Sequence, residues 1–168
     1  MPRPLPEPPS TVLFDLDGTL IDTAPDFIRV LNNLRQENEL APLPAEGIRP
    51  HVSDGARAMI RLGFGLEPED PDYRDRHARF LDLYEAGICE ETELFAGMDR
   101  LLTVLEDAGV PWGIVTNKPV RFAAPLLAAL ALDSRCGALI CPDHVSNRKP
   151  APEGLHLACL QMGADPDR

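Results

Sequence analysis

No stretch of this 168-residue chain approaches the ~20 consecutive apolar residues that a membrane-spanning helix needs, and the first residues lack the apolar core of a secretory signal. A cytoplasmic protein without a membrane partner is therefore expected. Positive charge is scarce: 16 Lys and Arg stand against 27 Asp and Glu, for a formal net charge of -11. Nucleic-acid binding is disfavoured, because the phosphate backbone would be repelled. Any anionic ligand must instead meet local positive charge or a metal ion. The four cysteines, Cys89, Cys136, Cys141 and Cys159, form no Cys-x-x-Cys pattern and are expected as free thiols. Cys136, Cys141 and His144 fit no zinc spacing. His51, His77, His144 and His156 stand at no mutually supporting spacing and read as structural or exposed. No internal repeat is found, and oligomeric state is left open. Proline alone is abundant, with 18 in all and five between Pro2 and Pro9, so residues 1–10 are expected to form a disordered tail.

The most informative stretch is Val12-Leu13-Phe14-Asp15-Leu16-Asp17-Gly18-Thr19-Leu20. It sets two carboxylates at the end of an apolar strand, followed by a glycine turn. In extended backbone, residues i and i+2 project to one face, so Asp15 and Asp17 point the same way roughly 6 to 7 Å apart while Leu16 faces opposite. Two acids at the inner end of an apolar run serve no packing purpose. Their mutual repulsion calls for a bound cation, most simply Mg2+. Gly18 and Thr19 offer backbone N–H groups suited to a phosphate oxygen. The string reads as a phosphoryl-transfer site: Asp15 is the candidate nucleophile, which would form an aspartyl-phosphate, and Asp17 the candidate acid that protonates the leaving alkoxide and later takes a proton from water.

Strands are expected at Thr11–Asp15, Trp112–Thr116 and Ala138–Cys141, and helices at about Pro25–Glu39, Met98–Ala108, Pro119–Ala131 and Pro152–Gly163. Pro125 predicts a kink or late start in the third of these helices. Between Ala41 and Phe95 the pattern is helical, with loops at Ala41–Pro44, Ser53–Gly55 and Gly63–Pro71 and no competing strand. Alternating strands and helices imply an α/β fold with a doubly wound parallel sheet. In such sheets ligands bind at the carboxyl ends of the strands, where Asp15, Asp17 and Thr116 fall. The Thr116 hydroxyl and Asn117 backbone N–H suit a phosphate oxygen. Lys118 reads as surface.

These residues resemble a known family. Phe14-Asp15-Leu16-Asp17-Gly18-Thr19-Leu20-Ile21-Asp22-Thr23 is similar to the first motif of the haloacid dehalogenase superfamily, in its phosphoglycolate-phosphatase-like branch. Ile114-Val115-Thr116-Asn117-Lys118-Pro119 resembles the second motif, and Lys149-Pro150 with Pro152-Glu153 the third. Thr116-Asn117-Lys118-Pro119-Val120-Arg121-Phe122-Ala123 and Leu139-Ile140-Cys141-Pro142-Asp143-His144-Val145 resemble the bacterial N-acetylmuramic acid 6-phosphate phosphatases.

The resemblance implies a Rossmann-like base domain of residues 11–22 and 95–168, with an all-helical cap, residues 23–94, that closes over the substrate. It assigns Asp15 and Asp17 the same two catalytic roles and places Mg2+ on Asp15 and the Asp17 carbonyl. It also implies that Lys149 stabilises nucleophile and phosphate, and that Ser53-Asp54-Gly55-Ala56-Arg57 is the substrate-specificity loop, with Arg57 holding a substrate carboxylate. The implied activity is hydrolysis of a small phosphorylated metabolite, first N-acetylmuramic acid 6-phosphate and second 2-phosphoglycolate. The family's fourth motif, a pair of acids after a further strand, has no counterpart. The sheet is then expected to lack C-terminal strands and Mg2+ to be weakly held, as in a fragment or truncated product. A remnant that binds phosphate or a partner without turnover is the alternative.

Overall fold

The computed structural model describes residues 9–166, so most of the expected proline-rich tail lies outside the described residues. The chain divides into two compact units, Met1–Leu20 with Leu94–Arg168, and Ile21–Glu93.

The first unit is a parallel sheet flanked by helices. Strands β1 (Val12–Phe14), β4 (Trp112–Val115) and β5 (Leu139–Ile140) lie in the order β1-β4-β5. Val12 pairs with Trp112 and Phe14 with Ile114, and Val115 pairs with Ile140. All four residues of β4 are buried, as a central strand covered on both faces requires. Helix α5 (Met98–Asp107) leads into β4, α6 (Val120–Ala129) makes the crossover from β4 to β5, and α7 (Glu153–Gln161) follows β5 and packs on β4 and β5. Val115, Ala138, Ile140 and Ala158 form a buried cluster, with Leu13 and Met162 packed against it. Gly113 makes that packing possible, since a Cβ there would lie 3.0 Å from the Ala138 carbonyl oxygen and 3.2 Å from Met162 Cε. Helix α6 runs through Pro125 without a late start. Phe122, Ala123, Leu126 and Leu127 are buried while Pro125 is exposed, so packing holds the helix and the lost N–H bond falls on the solvent side.

Trp112 is buried, and its indole N–H donates to Glu106 Oε1 at 2.9 Å. Arg135 binds the same carboxylate through Nε at 3.0 Å and reaches Asp99 at 2.8 Å. Hydrogen bonds from Arg135 and then Trp112 hold the Glu106 carboxyl below its ordinary range. Glu106→Ala orphans a buried donor and is expected to lower the unfolding free energy by roughly 1–2 kcal/mol in urea denaturation.

In the second unit, α1 (Ala24–Glu37) packs with α3 (Gly55–Phe64) and α4 (Tyr73–Ala86). Phe27 sets its ring edgewise against Phe80 and Tyr84, with centroids 5.7 and 4.7 Å away. The expected loop at Ser53–Gly55 is instead a tight junction: a 3-10 helix, Arg49–Asp54, runs directly into α3 after the short α2 (Ala45–Ile48). The expectation of no strand before Phe95 is corrected, because β3 (Glu93–Leu94) pairs with β2 (Ile21–Asp22) where the chain passes between the units. Two-residue strands are too short to carry an alternation pattern. The segment before β3 is tied down by Asp26. This fully buried carboxylate accepts from the Thr92 hydroxyl at 2.6 Å and the Thr92 and Glu91 N–H groups, each at 3.1 Å, and pairs with Arg29 at 2.7 Å.

All four cysteines are free thiols. Cys141 is buried, and desolvation pushes its thiol up to about 12 from an ordinary 9.0. Between these values the unfolded chain loses a proton that the fold retains. The stabilisation is complete below pH 9 and is lost as pH rises. Raising the pH from 8 to 10 is expected to cost the native chain about 1 kcal/mol more than a Cys141→Ala variant, read from urea midpoints.

Candidate active site

The site forms at the carboxyl end of β1. Asp15 is exposed, Leu16 fully buried and Asp17 partly buried, and all three lie just past the end of β1, where Leu16 opens a turn. Gly18 then takes φ 78°, a left-handed conformation that favours glycine, and the Thr19 and Leu20 N–H groups close the turn onto the Leu16 carbonyl at 3.4 and 3.0 Å. The Thr19 N–H expected to face a phosphate is therefore engaged in the turn, whereas that of Gly18 takes no part in those bonds.

Two lysines meet the two acids. Lys149 Nζ donates to Asp15 Oδ1 at 2.7 Å and to the Val115 carbonyl at 2.8 Å. Asp15 Oδ1 also accepts from the Leu16 N–H at 2.8 Å. Lys118 Nζ donates to Asp17 Oδ1 at 2.8 Å. The reading of Lys118 as surface is thus corrected: its side chain is only 6% exposed. Sequence reasoning missed it because a lone Lys beside Pro carries no periodic signal. The one available hint was its place directly after the strand-end Thr-Asn pair.

Thr116 is buried, and its hydroxyl oxygen accepts the Lys118 N–H at 3.1 Å. This bond is turn chemistry, and it leaves the hydroxyl hydrogen to donate elsewhere. Asn117 Nδ2 donates to the Lys149 carbonyl at 3.3 Å, tying the second and third motifs together. Asp143 Oδ2 accepts the Val120 N–H at 2.9 Å and anchors the far end of the Lys118 loop. Before Lys149, the Ser146 and Asn147 N–H groups donate to Glu153 at 2.7 and 2.8 Å, and these bonds, that of Ser146 first, hold the Glu153 carboxyl below its ordinary range. His144 is structural, its Nδ1 accepting the Cys141 N–H at 3.1 Å. Arg57 belongs to the second unit. Its side chain is 59% exposed and lies 3.7 Å from Glu67, which Arg61 holds more closely.

Among the described residues no group of three or more His, Cys, Asp or Glu gathers as a metal cluster. Asp15 Oδ1 takes Lys149 and the Leu16 N–H, while Oδ2 takes neither. One carboxylate and the Asp17 main-chain carbonyl are hard oxygens, and Mg2+ accepts one or two carboxylates together with phosphate oxygens and retained waters. In donor chemistry these oxygens are of the kind that Mg2+ takes.

Residues 9–168 match a family model described as haloacid dehalogenase-like hydrolase. The chain belongs to that family. It is 46% identical over 157 residues to an N-acetylmuramic acid 6-phosphate phosphatase of Pseudomonas aeruginosa, spanning 94% of this chain and 70% of the relative. It is 40% identical over 161 residues to a phosphoglycolate phosphatase of Xanthomonas campestris, covering 92% of this chain and 70% of that one. The crystal structure of a predicted phosphoglycolate phosphatase from Haemophilus somnus superposes with a TM-score of 0.78 at 22% identity, over 92% of this chain and 72% of that one, which shows the shared fold. As a haloacid dehalogenase-like hydrolase the chain is an enzyme of the phosphatase kind, with the α/β fold read from its strand and helix alternation. No helix of the described residues is long and apolar enough to cross a membrane.

Proposed function

We propose that this protein is a Mg2+-dependent phosphomonoester hydrolase that works through an aspartyl-phosphate on a small phosphorylated metabolite. N-acetylmuramic acid 6-phosphate is the first candidate and 2-phosphoglycolate the second, the substrates named for its relatives. What carries the reading is the pairing of Lys149 with Asp15 at 2.7 Å across 134 residues of chain, beside a second acid held by a second lysine.

In this reading an Asp15 carboxylate oxygen attacks phosphorus and the bond from phosphorus to the ester oxygen breaks. Asp17 gives a proton to the departing alkoxide. Asp17 then takes a proton from water, which attacks phosphorus and releases inorganic phosphate and free Asp15. Lys149 is a point charge that draws the phosphate towards Asp15 and offsets its repulsion of the nucleophile. Gly18 N–H, with the Thr116 hydroxyl and Asn117 N–H, would bind the remaining oxygens. Mg2+, held by Asp15 and the Asp17 carbonyl, would supply further positive charge for the transferring group. Residues 23–94, most of which belong to the second unit, Ile21–Glu93, are read as the cap, with Arg57 as its candidate contact for a substrate carboxylate.

A panel of sugar phosphates and 2-phosphoglycolate, assayed with Mg2+, tests the proposal. Release of inorganic phosphate from at least one member is the expected result. Inactivity on the whole panel while chloroacids turn over refutes it, and failure also to bind beryllium fluoride at Asp15 identifies a non-catalytic remnant.

A further inference from the structure

Lys118 has no part in the scheme above, yet it is the most deeply buried cation at the site. Its side chain is 6% exposed against 26% for Lys149. Withdrawing an ammonium from water is strongly unfavourable unless a partner compensates. The fold sets up this burial from both sides. Thr116 Oγ1 accepts the Lys118 N–H at 3.1 Å and turns the chain as it leaves β4. Asp143 holds the Val120 N–H at 2.9 Å, fixing the segment just beyond. Between these anchors the lysine stem points inward and its Nζ meets Asp17 Oδ1 at 2.8 Å.

The two acids are thereby treated differently. Lys149 is shared between Asp15 and a main-chain carbonyl, beside an exposed carboxylate. Asp17, whose side chain is 20% exposed, has one oxygen tied to a cation held in a fixed place by its own backbone. A carboxylate side chain has two torsions, and tying one oxygen selects among its rotamers and so aims the other. Proton transfer demands such aim, because a donor must lie within hydrogen-bond reach of the leaving oxygen.

We infer that Lys118 is a positioning residue that acts through Asp17, orienting it towards the ester oxygen that must be protonated as it leaves. The inference rests on the phosphomonoesterase reading and makes a demand that a general role in folding does not. An alkyl phosphate expels a strongly basic alkoxide and needs the proton. p-Nitrophenyl phosphate expels a stable nitrophenolate and does not.

The test compares kcat/KM for the two esters, since this ratio reports the steps through phosphoryl transfer from substrate. Lys118→Met is expected to lose about 30-fold or more on the alkyl phosphate but less than about threefold on p-nitrophenyl phosphate, a part of the roughly 10²- to 10⁴-fold that a positioned acid supplies. Lys118→Arg, which keeps a cationic donor, is expected to recover part of the loss. In an Asp17→Asn background Lys118→Met is expected to change alkyl phosphate turnover less than about threefold, since the residue it orients is already disabled. Melting curves establish that each variant is folded, and Lys118→Gln replaces Lys118→Met if the latter is not. Equal losses on both esters, or a full loss repeated in the Asp17→Asn background, overturn the positioning role while leaving the phosphatase reading intact. Absence of turnover of any phosphomonoester by the native protein overturns both.

Discussion

Asp15→Asn is expected to lower phosphatase kcat by at least about 10⁴-fold while the protein stays folded, because the change removes the nucleophile together with the negative charge that pairs with Lys149 and would hold Mg2+. Asparagine has the same shape as aspartate, and its oxygen can still accept the Leu16 N–H that Oδ1 now accepts at 2.8 Å. Its amide cannot form the acyl phosphate that divides one difficult hydrolysis into two easier steps. The measurement is phosphate release with Mg2+ from the best substrate of the panel, together with the shift in melting temperature on adding beryllium fluoride. The native protein is expected to be stabilised by this phosphate mimic and the variant not. A variant that hydrolyses esters as fast as its parent would end the proposal for Asp15, whatever the fate of the family assignment.

The second large effect is expected at Lys149. Removing its charge with Lys149→Met deprives Asp15 of the ammonium 2.7 Å away and leaves the nucleophile facing an incoming phosphate with less positive charge beside it. A preorganised charge of this type contributes roughly 10²-fold or more to rate, and the loss is expected in kcat as well as in KM, since the charge acts on both bound phosphate and transition state. Lys149→Arg is expected to restore little. The Lys149 ammonium bonds a carboxylate and the Val115 carbonyl at once, through donors that rotate about one compact centre. The guanidinium of arginine is a wider planar fork. Unchanged kcat in Lys149→Met would relegate the contact to a structural ion pair.

These lysines show where reading the chain and reading the fold part company. In the sequence Lys149 is legible only through a resemblance, and Lys118 reads as surface. The contacts that decide their roles span 134 and 101 residues, and nothing in either lysine's neighbourhood announces its partner. Local rules fared better where the physics is local. Gly109 ended the helix Met98–Asp107, and the buried face Phe122, Ala123, Leu126 and Leu127 carried α6 through a proline that local propensity set against it. The strands β2 and β3, two residues each, left no trace in the pattern.

By itself the sequence settled that strands separated by helices run parallel, because such a connection returns the chain to the same end of the sheet, and it marked Asp15 and Asp17 as acids at the end of the first strand. Only the tertiary structure decided how that pair of like charges is compensated. The carboxyl ends of β1 and β4 lie side by side in the sheet, and the loop before α7 returns to the same edge. That geometry delivers one ammonium to each acid, and no periodicity in the chain encodes it.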